Sequence, residues 1–497
     1  MKLAELIDGL PITVAQGSTH DIRDIEVTRI GFDSRVTQPG DLFVALPGAN
    51  DASLDGHDFV ASAYDLGARV FLCRFVPAAL VAHPDAVVLI SEDNQVAIAA
   101  LAAKWYGYPA RQLKFVAITG TKGKTTISFM LQAILQDAGK SVGLIGSNGI
   151  YYDDVWIKLL NTTPEPVKLH ETLRNMVDAG VEYCIIEATS QGFMMHRTDG
   201  IEFDLGVYTN ISPDHISATE HPSFEHYFAC KQRIFDSAPV VYVNADDPAF
   251  DEIVAGAKAE VRTFGFGGDV TYRADNVHSA LKGTRMSVEF DCVAPSWRAP
   301  MRVSFPGQFN ASNALAAISV ADYFDIPVPA IQSGLARAVV KGRMEAVEVP
   351  ADFTVLIDFA HNRLSMESMM ATAREYQPKR ILIVFGLEGN RAHIRRFDSG
   401  EVLGRDADYV ILSDASPRTD DADAIIADIA TGIERAGGAG KYEIIRDRHV
   451  SIPRILDMAQ PGDLVLLVGK GNVPYEEVNG ILTPFDERQV VAEYFAR

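Results

Sequence analysis

Phe115-Val-Ala-Ile-Thr-Gly-Thr-Lys-Gly-Lys-Thr-Thr126 is the stretch on which the fold turns. Residues 115–119 form a continuous apolar run of strand length, and glycines follow at 120 and 123. Ile127, Met130, Leu131, Ile134 and Leu135 then share one helical face, and Gly139 stops the helix in the C′ position. A strand that enters a glycine-rich turn and leaves as a helix offers backbone N–H groups and the positive end of a helix dipole to an anion. The candidate cradle is Gly120, Thr121, Lys122, Gly123, Lys124, Thr125 and Thr126. In it Lys124 supplies a cation for β/γ-phosphate charge and Thr125 a hydroxyl for Mg²⁺. The spacing departs from G-x-x-x-x-G-K-[ST]: position 118 is Ile, and only two residues separate Gly120 from Gly123. A glycine-rich turn without ligand is the alternative reading.

Outward from this turn, buried-type strands recur at Val181–Ala188, Leu205–Asn210 and Val240–Asn244, alternating with helical patterns. That alternation predicts a doubly wound, mostly parallel sheet. Residues 262–305 read instead as short antiparallel strands. A second α/β unit begins near 339, with strands at Thr354–Asp358, Arg380–Phe385, Tyr409–Ser413 and Leu464–Val468. Before residue 110, Asp41–Leu46 is strand-like, and Gln95–Tyr106 reads as a helix ended by Gly107-Tyr108-Pro109. The expected architecture is α/β in three domains. A smaller N-terminal α/β domain spans 1–110, a central P-loop domain 111–338, and a Rossmann-like domain 339–497.

Composition narrows the function. The 497 residues include 45 Lys+Arg against 66 Asp+Glu, a net charge of −21. That balance disfavours broad binding to nucleic acid or anionic membranes. The four cysteines form no C-x-x-C pair, which fits a reducing compartment. The beginning of the chain has no apolar stretch of signal-peptide length, and the longest apolar runs are strand-length. A soluble cytoplasmic protein without a nucleic-acid partner or membrane insertion is the expectation.

Glu187 follows the strand Val181–Ile186, where a Mg²⁺-holding carboxylate would sit. Alone, such a residue is as well read as a solvated loop acid. Asp214-His215 follows the next strand, and both positions lie at C-terminal strand ends, where α/β ligand sites gather. A lone His is also commonly structural.

Together these residues carry a resemblance. TGTKGKTT, Glu187, TNISPDH at 209–215, ACK at 229–231, NADDP at 244–248 and GQFNASNALAA at 307–317 resemble the central domain of the Mur ligase family. GRME at 342–345 and IDFAHN at 357–362 are similar to the opening of its C-terminal domain. DSRVTQPGDLFVALPG at 33–48, DGHDF at 55–59, NTTPE at 161–165, VGKG at 468–471 and PFDERQVV at 484–491 resemble the branch that adds the third residue of the peptidoglycan stem peptide.

The resemblance implies an amide ligase. ATP phosphorylates a substrate carboxylate, and an amino-acid amine displaces phosphate from the acyl phosphate. The implied substrates are ATP, a UDP-N-acetylmuramoyl-dipeptide and a free amino acid, with Mg²⁺ as cofactor and a monomer as the working form. By resemblance, Lys124 supports the β/γ-phosphates, Thr125 and Glu187 hold one Mg²⁺, and His215 helps hold a second. Lys231 matches a lysine carbamylated in much of the family (N6-carboxylysine), whose anion supports a metal. Unmodified, it is a helix lysine that is solvated or touches phosphate. Asn310 and Asn313 match the nucleotide side, and Arg343 and Asp358 would meet ATP from the last domain. Ser34 and Arg35 match the uridine region, although DSR is equally a plain turn. Thr162, Thr163, Thr189 and Arg197 match contacts to the muramyl-peptide. The usual serine pair after the strand-end Glu is Thr189-Ser190 here, and a common Gln is Met195.

The amino-acid pocket is implied at Arg391, Ser416, Arg418 and Gly469. Diaminopimelate-adding members carry D-N-P-R, whereas this chain reads Asp414-Ala-Ser-Pro-Arg418. The acid of the family's G-K-G-x-E is Val473. Arg418 therefore points to a second carboxylate on the amino acid, hence meso-diaminopimelate first and L-lysine second, while Val473 leaves a distal ammonium without its usual partner. Another Mur-type or polyglutamate-type ligase, or a P-loop ATPase switch, are the competing functions.

Overall fold

The computed structural model describes residues 1–15, 22–48, 54–217, 220–283 and 285–496. It is α/β, and it divides into two compact units: Met1–Tyr272 with Ala316–Ile331, and Arg273–Leu315 with Gln332–Arg497.

The first unit opens with a five-stranded sheet of β1 (Thr13–Val14), β2 (Arg29–Gly31), β3 (Asp41–Val44), β4 (Val70–Cys73) and β5 (Val87–Ile90), in the order β1-β5-β4-β3-β2. Strands β2 to β5 pair in parallel and β1 antiparallel. Successive side chains on a strand point to opposite faces. Leu42, Val44, Val70 and Leu72 accordingly enter one core, and Phe43, Phe71 and Cys73 the other.

The second sheet of this unit uses β6 (Lys114–Thr119), β7 (Val142–Gly146), β8 (Gly149–Tyr152), β9 (Val155–Ile157), β10 (Tyr183–Glu187), β11 (Leu205–Tyr208), β12 (Val240–Asn244) and β13 (Glu260–Gly265). Their order is β13-β12-β11-β6-β10-β7-β8-β9. Pairing is parallel from β13 to β7 and antiparallel through β8 and β9. The run expected to turn antiparallel at 262 thus begins with a parallel strand, because β13 pairs beside β12. The helix after the glycine turn is Lys124–Asp137, and the five apolar residues foreseen on its inner face are all buried. Each stabilises by roughly 1.5–3 kcal/mol relative to exposure. Gly139 follows at φ +73, where a residue without Cβ is favoured.

One helix foreseen as continuous, Phe224–Phe235, is two: Phe224–Gln232 and Ile234–Ser237. The backbone tightens to i→i−3 bonds at Arg233 and Asp236, and the Arg233 guanidinium turns to Asp199 at 2.8 Å.

In the second unit, β14 (Tyr272–Lys282), β15 (Arg285–Val293) and β16 (Arg298–Val303) pair antiparallel, as expected for this region. A six-stranded sheet follows: β17 (Glu345–Val347), β18 (Thr354–Asp358), β19 (Ile381–Phe385), β20 (Tyr409–Leu412), β21 (Tyr442–Ile444) and β22 (Leu464–Val468), ordered β17-β18-β22-β19-β20-β21. Only β17 runs antiparallel. Ile381, Ile383 and Phe385 face one core, and Leu382 and Val384 the other. Met286 of β15 belongs to the first of these cores, and Tyr376 donates its hydroxyl to Ser287 O at 3.0 Å. A hairpin of β23 (Tyr475–Val478) and β24 (Ile481–Pro484) completes the unit. The four cysteines are buried and unbridged. No helix among the described residues is long and apolar enough to cross a membrane.

Candidate active site

The turn after β6 is built around one glycine. Gly120 sits at φ +132, and a Cβ there would collide with Thr209 Oγ1, so only glycine fits. The segment after β11 clamps this turn. Asn210 Oδ1 accepts from Lys122 N at 2.9 Å, Thr209 Oγ1 donates to Lys122 O at 2.6 Å, and Ser212 N donates to Thr121 Oγ1 at 3.0 Å. Tyr227 OH shares a hydrogen with Thr121 Oγ1 at 2.9 Å, and Lys122 pairs with Asp214 at 3.2 Å. Asp247, from the NADDP stretch, accepts from Ile211 N at 2.9 Å and so fixes the clamp in turn.

Two ammonium groups meet at the turn. Lys124 Nζ donates to Gly120 O at 2.8 Å and to Thr121 O at 3.2 Å, and Lys231 Nζ donates to Gly120 O at 2.9 Å. Lys231 is 2% exposed and its Nζ lies 4.7 Å from the centre of the Tyr227 ring. Burial, and then the Lys124 charge, push its pKa well below the usual lysine value. That environment favours a neutral, nucleophilic amine over the solvated helix lysine that the sequence also allowed.

Glu187, the last residue of β10, is fully buried rather than a solvated loop acid. Its Oε2 accepts from Thr125 Oγ1 and from Ser147 Oγ, each at 3.0 Å, and its Oε1 accepts from Ser147 N at 3.1 Å. Parallel pairing of β10 with β6 and β7 brings the three strand ends together. A Cβ on Gly146 would run into the Glu187 carboxylate. The donor set is all oxygen, which suits a hard cation such as Mg²⁺. Ser147 was not foreseen; its place one residue beyond a buried parallel strand was the available signal.

Behind Glu187 lies the NTTPE segment. Thr163 Oγ1 donates to Glu187 O at 2.8 Å and accepts from Thr189 N at 3.0 Å, and it lies 2.9 Å from Thr189 Oγ1. Thr162 Oγ1 lies 3.1 Å from Ser147 Oγ. Arg197 is buried, donates to Thr163 O at 3.1 Å and pairs with Glu165 at 2.6 Å. The guanidinium foreseen for substrate acids is engaged by an acid of its own chain. His215 sits at φ +57, half exposed, with Nδ1 2.7 Å from Glu220 Oε1 and its ring centre 6.2 Å from that of Tyr227. Ser34 and Arg35 form a short turn capped by Asp33, which accepts from Arg35 N at 3.0 Å; Ser34 is buried and Arg35 exposed.

In the second unit, buried Asn310 donates to Pro306 O at 2.7 Å and accepts from Asn313 Nδ2 at 2.8 Å. Asp358 accepts from Met344 N and Ala360 N, each at 2.7 Å. Burial raises its pKa, and the Arg343 charge opposes that rise. Arg343 lies 5.4 Å from the Phe359 ring centre.

The implied amino-acid pocket gathers around an acid that sequence alone did not single out. Glu388 Oε2 is 3.4 Å from Arg391 Nη2 and 3.0 Å from Arg418 Nη2, and Arg418 Nε is 3.5 Å from Glu477 Oε2. Arg418 is held at φ +56, a conformation costing about 1–3 kcal/mol. Ser416 Oγ accepts from Glu477 N at 3.1 Å. Gly469, at φ +100, has no room for a Cβ against Gly386 O. Lys470 is buried and donates to Ala415 O at 3.0 Å and Tyr475 O at 2.7 Å, and burial lowers its pKa to about 8. The GLEGNR stretch stands out in sequence for Arg391, yet its Glu388 is the centre of the cluster.

Comparison with known proteins places this geometry. The family description "Mur ligase family, catalytic domain" matches residues 26–106, "Mur ligase middle domain" 118–321, and "Mur ligase, glutamate ligase domain" 342–471. The UDP-N-acetylmuramoyl-L-alanyl-D-glutamate–2,6-diaminopimelate ligase of Caldanaerobacter subterraneus subsp. tengcongensis is 34% identical, over 100% of this chain and 99% of its own. The ligase of the same name from Clostridium botulinum is 33% identical over 94% and 95%. Among solved structures, a protein of that name superposes with a TM-score of 0.70 at 24% identity, covering 100% of this chain and 99% of its own. The MurF ligase of Thermotoga maritima, solved with ADP, superposes at 0.60 and 20% identity over 95% and 98%. Full-length likeness to curated ligases, three matched domains and a clamped phosphate-type turn agree: the chain belongs to the Mur ligase family.

Proposed function

We propose that the chain joins meso-diaminopimelate to UDP-N-acetylmuramoyl-L-alanyl-D-glutamate at the expense of ATP, releasing ADP and phosphate. The observation that carries this reading is Arg391 and Arg418 flanking Glu388. Two guanidinium groups suit two carboxylates, and the acid between them suits an ammonium. The names of the full-length relatives support the same substrate pair.

In the first step a substrate carboxylate oxygen attacks the γ-phosphorus, the bond to the β-phosphate oxygen breaks, and ADP leaves. In the second the amino-acid nitrogen attacks the acyl carbon, phosphate departs with the bonding pair, and the nitrogen gives up a proton. Lys124 offsets phosphoryl charge in the first step. Thr125 and Glu187 provide oxygen ligands for Mg²⁺, with His215 at the rim of the same clamp. When bound, Mg²⁺ neutralises and orients phosphate oxygens. Lys231 is proposed as N6-carboxylysine: a neutral amine takes up CO₂, loses a proton and becomes an anion.

The same reading assigns 1–110 to the UDP-substrate through Ser34 and Arg35, 111–338 to ATP, and 339–497 to the amino acid. Asn310, Arg343 and Asp358 serve the nucleotide; Thr162, Thr163, Thr189 and Arg197 serve the muramyl-peptide; Ser416 and Gly469 shape the amino-acid pocket. The matched spans 26–106, 118–321 and 342–471 support that division. One chain carries every named group, so a monomer suffices, and nucleotide-linked substrates put the reaction in the cytoplasm.

The test is phosphate release with the UDP-dipeptide and a panel of amino acids, with mass spectrometry of the product. Release that depends on both substrates and a product carrying diaminopimelate is expected. Phosphate release independent of any amino acid would favour an ATPase switch, and a lysine product would overturn the choice of amino acid.

A further inference from the structure

A second cluster of ligating side chains lies beside the nucleotide turn and plays no part in the chemistry above. His221 precedes the Phe224–Gln232 helix, whose first turn is capped by Ser223 accepting from His226 N at 3.2 Å. His226 and Cys230 stand four residues apart on that helix and so share a face. Cys230 Sγ is 3.9 Å from His226 Nδ1, and His221 Nδ1 is 3.0 Å from the same nitrogen. All three donor atoms lie within 4.8 Å of one another. His221 and Cys230 are buried, whereas His226 is exposed and gives solvent access.

Three details suit a metal better than a plain hydrogen bond. His221 Nε2 lies 2.9 Å from Ser190 Oγ. Donation there puts the ring proton on Nε2 and leaves the Nδ1 lone pair facing the cluster, the arrangement by which an outer partner orients a ligating histidine. Tetrahedral zinc with Zn–N of about 2.0–2.1 Å and Zn–S of about 2.3 Å needs donor separations of roughly 3.3–3.6 Å, which the two distances bracket. The donors are two imidazoles and one sulfur, soft enough to prefer zinc to Mg²⁺.

We propose that His221, His226 and Cys230 form a site for a zinc-class divalent cation, separate from the oxygen-lined Mg²⁺ position at Glu187. Binding forms two metal–nitrogen bonds and one metal–sulfur bond, releases the Cys230 thiol proton to solvent, and leaves a fourth position for water. His221 N donates to His215 O at 3.1 Å, and Cys230 adjoins Lys231. The cation therefore ties the segment bearing His215 to the helix bearing Lys231.

The test uses the full chain, stripped of metal, titrated with Zn²⁺ against a chromophoric chelator and separately with Co²⁺ in the presence of excess Mg²⁺. One equivalent of tight binding, with a thiolate-to-cobalt charge-transfer band, is expected. Cys230→Ser should abolish the band and, like His226→Asn, weaken Zn²⁺ binding tenfold or more; circular dichroism checks that both variants are folded. Position 226 is exposed, so the second substitution leaves the core untouched. No stoichiometric binding, or binding and a thiolate band unchanged in Cys230→Ser, would overturn the proposal.

Discussion

Lys124 and Lys231 donate to a single acceptor, the carbonyl oxygen of Gly120, at 2.8 and 2.9 Å. Two ammonium groups so close repel, and the buried one is the one whose charge is suppressed. Conversion of Lys231 to a carbamate replaces that repulsion with attraction. Lys231→Ala should therefore lose ligase activity that short carboxylic acids partly restore. An alanine variant as active as the parent, with no carbamate found by carbon-13 NMR in labelled bicarbonate, would refute this.

Lys124→Ala should lower turnover by roughly 10²–10³-fold or more, the scale for removing a group that stabilises transition-state charge. Steady-state phosphate release on a variant of unchanged melting temperature measures it. Near-normal turnover would remove the glycine turn from the mechanism.

Gly146→Ala examines the Glu187 carboxylate without touching its charge. The added methyl collides with the carboxylate held by Ser147 and Thr125. The expected outcome is a several-fold higher Mg²⁺ requirement, with a smaller change in KM for the amino acid. Titration of activity with Mg²⁺ separates the two, and an unaltered Mg²⁺ dependence would count against Glu187 as a ligand.

The strands were legible because buried parallel strands are nearly uninterrupted apolar runs: Val240–Asn244, Thr354–Asp358 and Leu464–Val468 have the same limits in sequence and structure. The split at Arg233 was not, because a tertiary ion pair to Asp199 decides it. The glycine turn announced Lys124 and Thr125. Ser147 and Glu388 stayed hidden, since neither sits in a local pattern and each gains its meaning only from neighbouring strands or from arginines that come later in the chain.

Arg418→Ala should hurt diaminopimelate far more than lysine, since only the former has a second carboxylate. Loss of one buried charge-assisted contact costs about 2–5 kcal/mol. Arg391→Ala should weaken both amino acids alike. The kcat/KM ratio of the two substrates, before and after substitution, decides the matter; an unchanged ratio in Arg418→Ala would leave the second carboxylate without a reader.

His170 is buried, neither ring nitrogen has a hydrogen-bond partner among the described residues, and burial lowers its pKa to about 4 from 6.5. The unfolded chain binds this proton first, so the stability linked to a neutral His170 is present above pH 6.5 and lost as pH falls toward 4. His170→Leu should accordingly lose less stability than the parent between about pH 7.5 and pH 5, measured by urea midpoints. Equal losses would show that His170 does not titrate in that window.

The second compact unit draws on two separate stretches of chain, and this limits how the protein can be dissected. Met286 fills part of the core shared with Met366, Ile383 and Phe385, and Ser287 receives the Tyr376 hydroxyl. A fragment begun at residue 339 would leave a hole in that core and an unanswered buried hydroxyl. Excision of the amino-acid half as one continuous piece should thus yield a poorly folded polypeptide, whereas supplying 273–315 as a separate peptide should restore its cooperative unfolding.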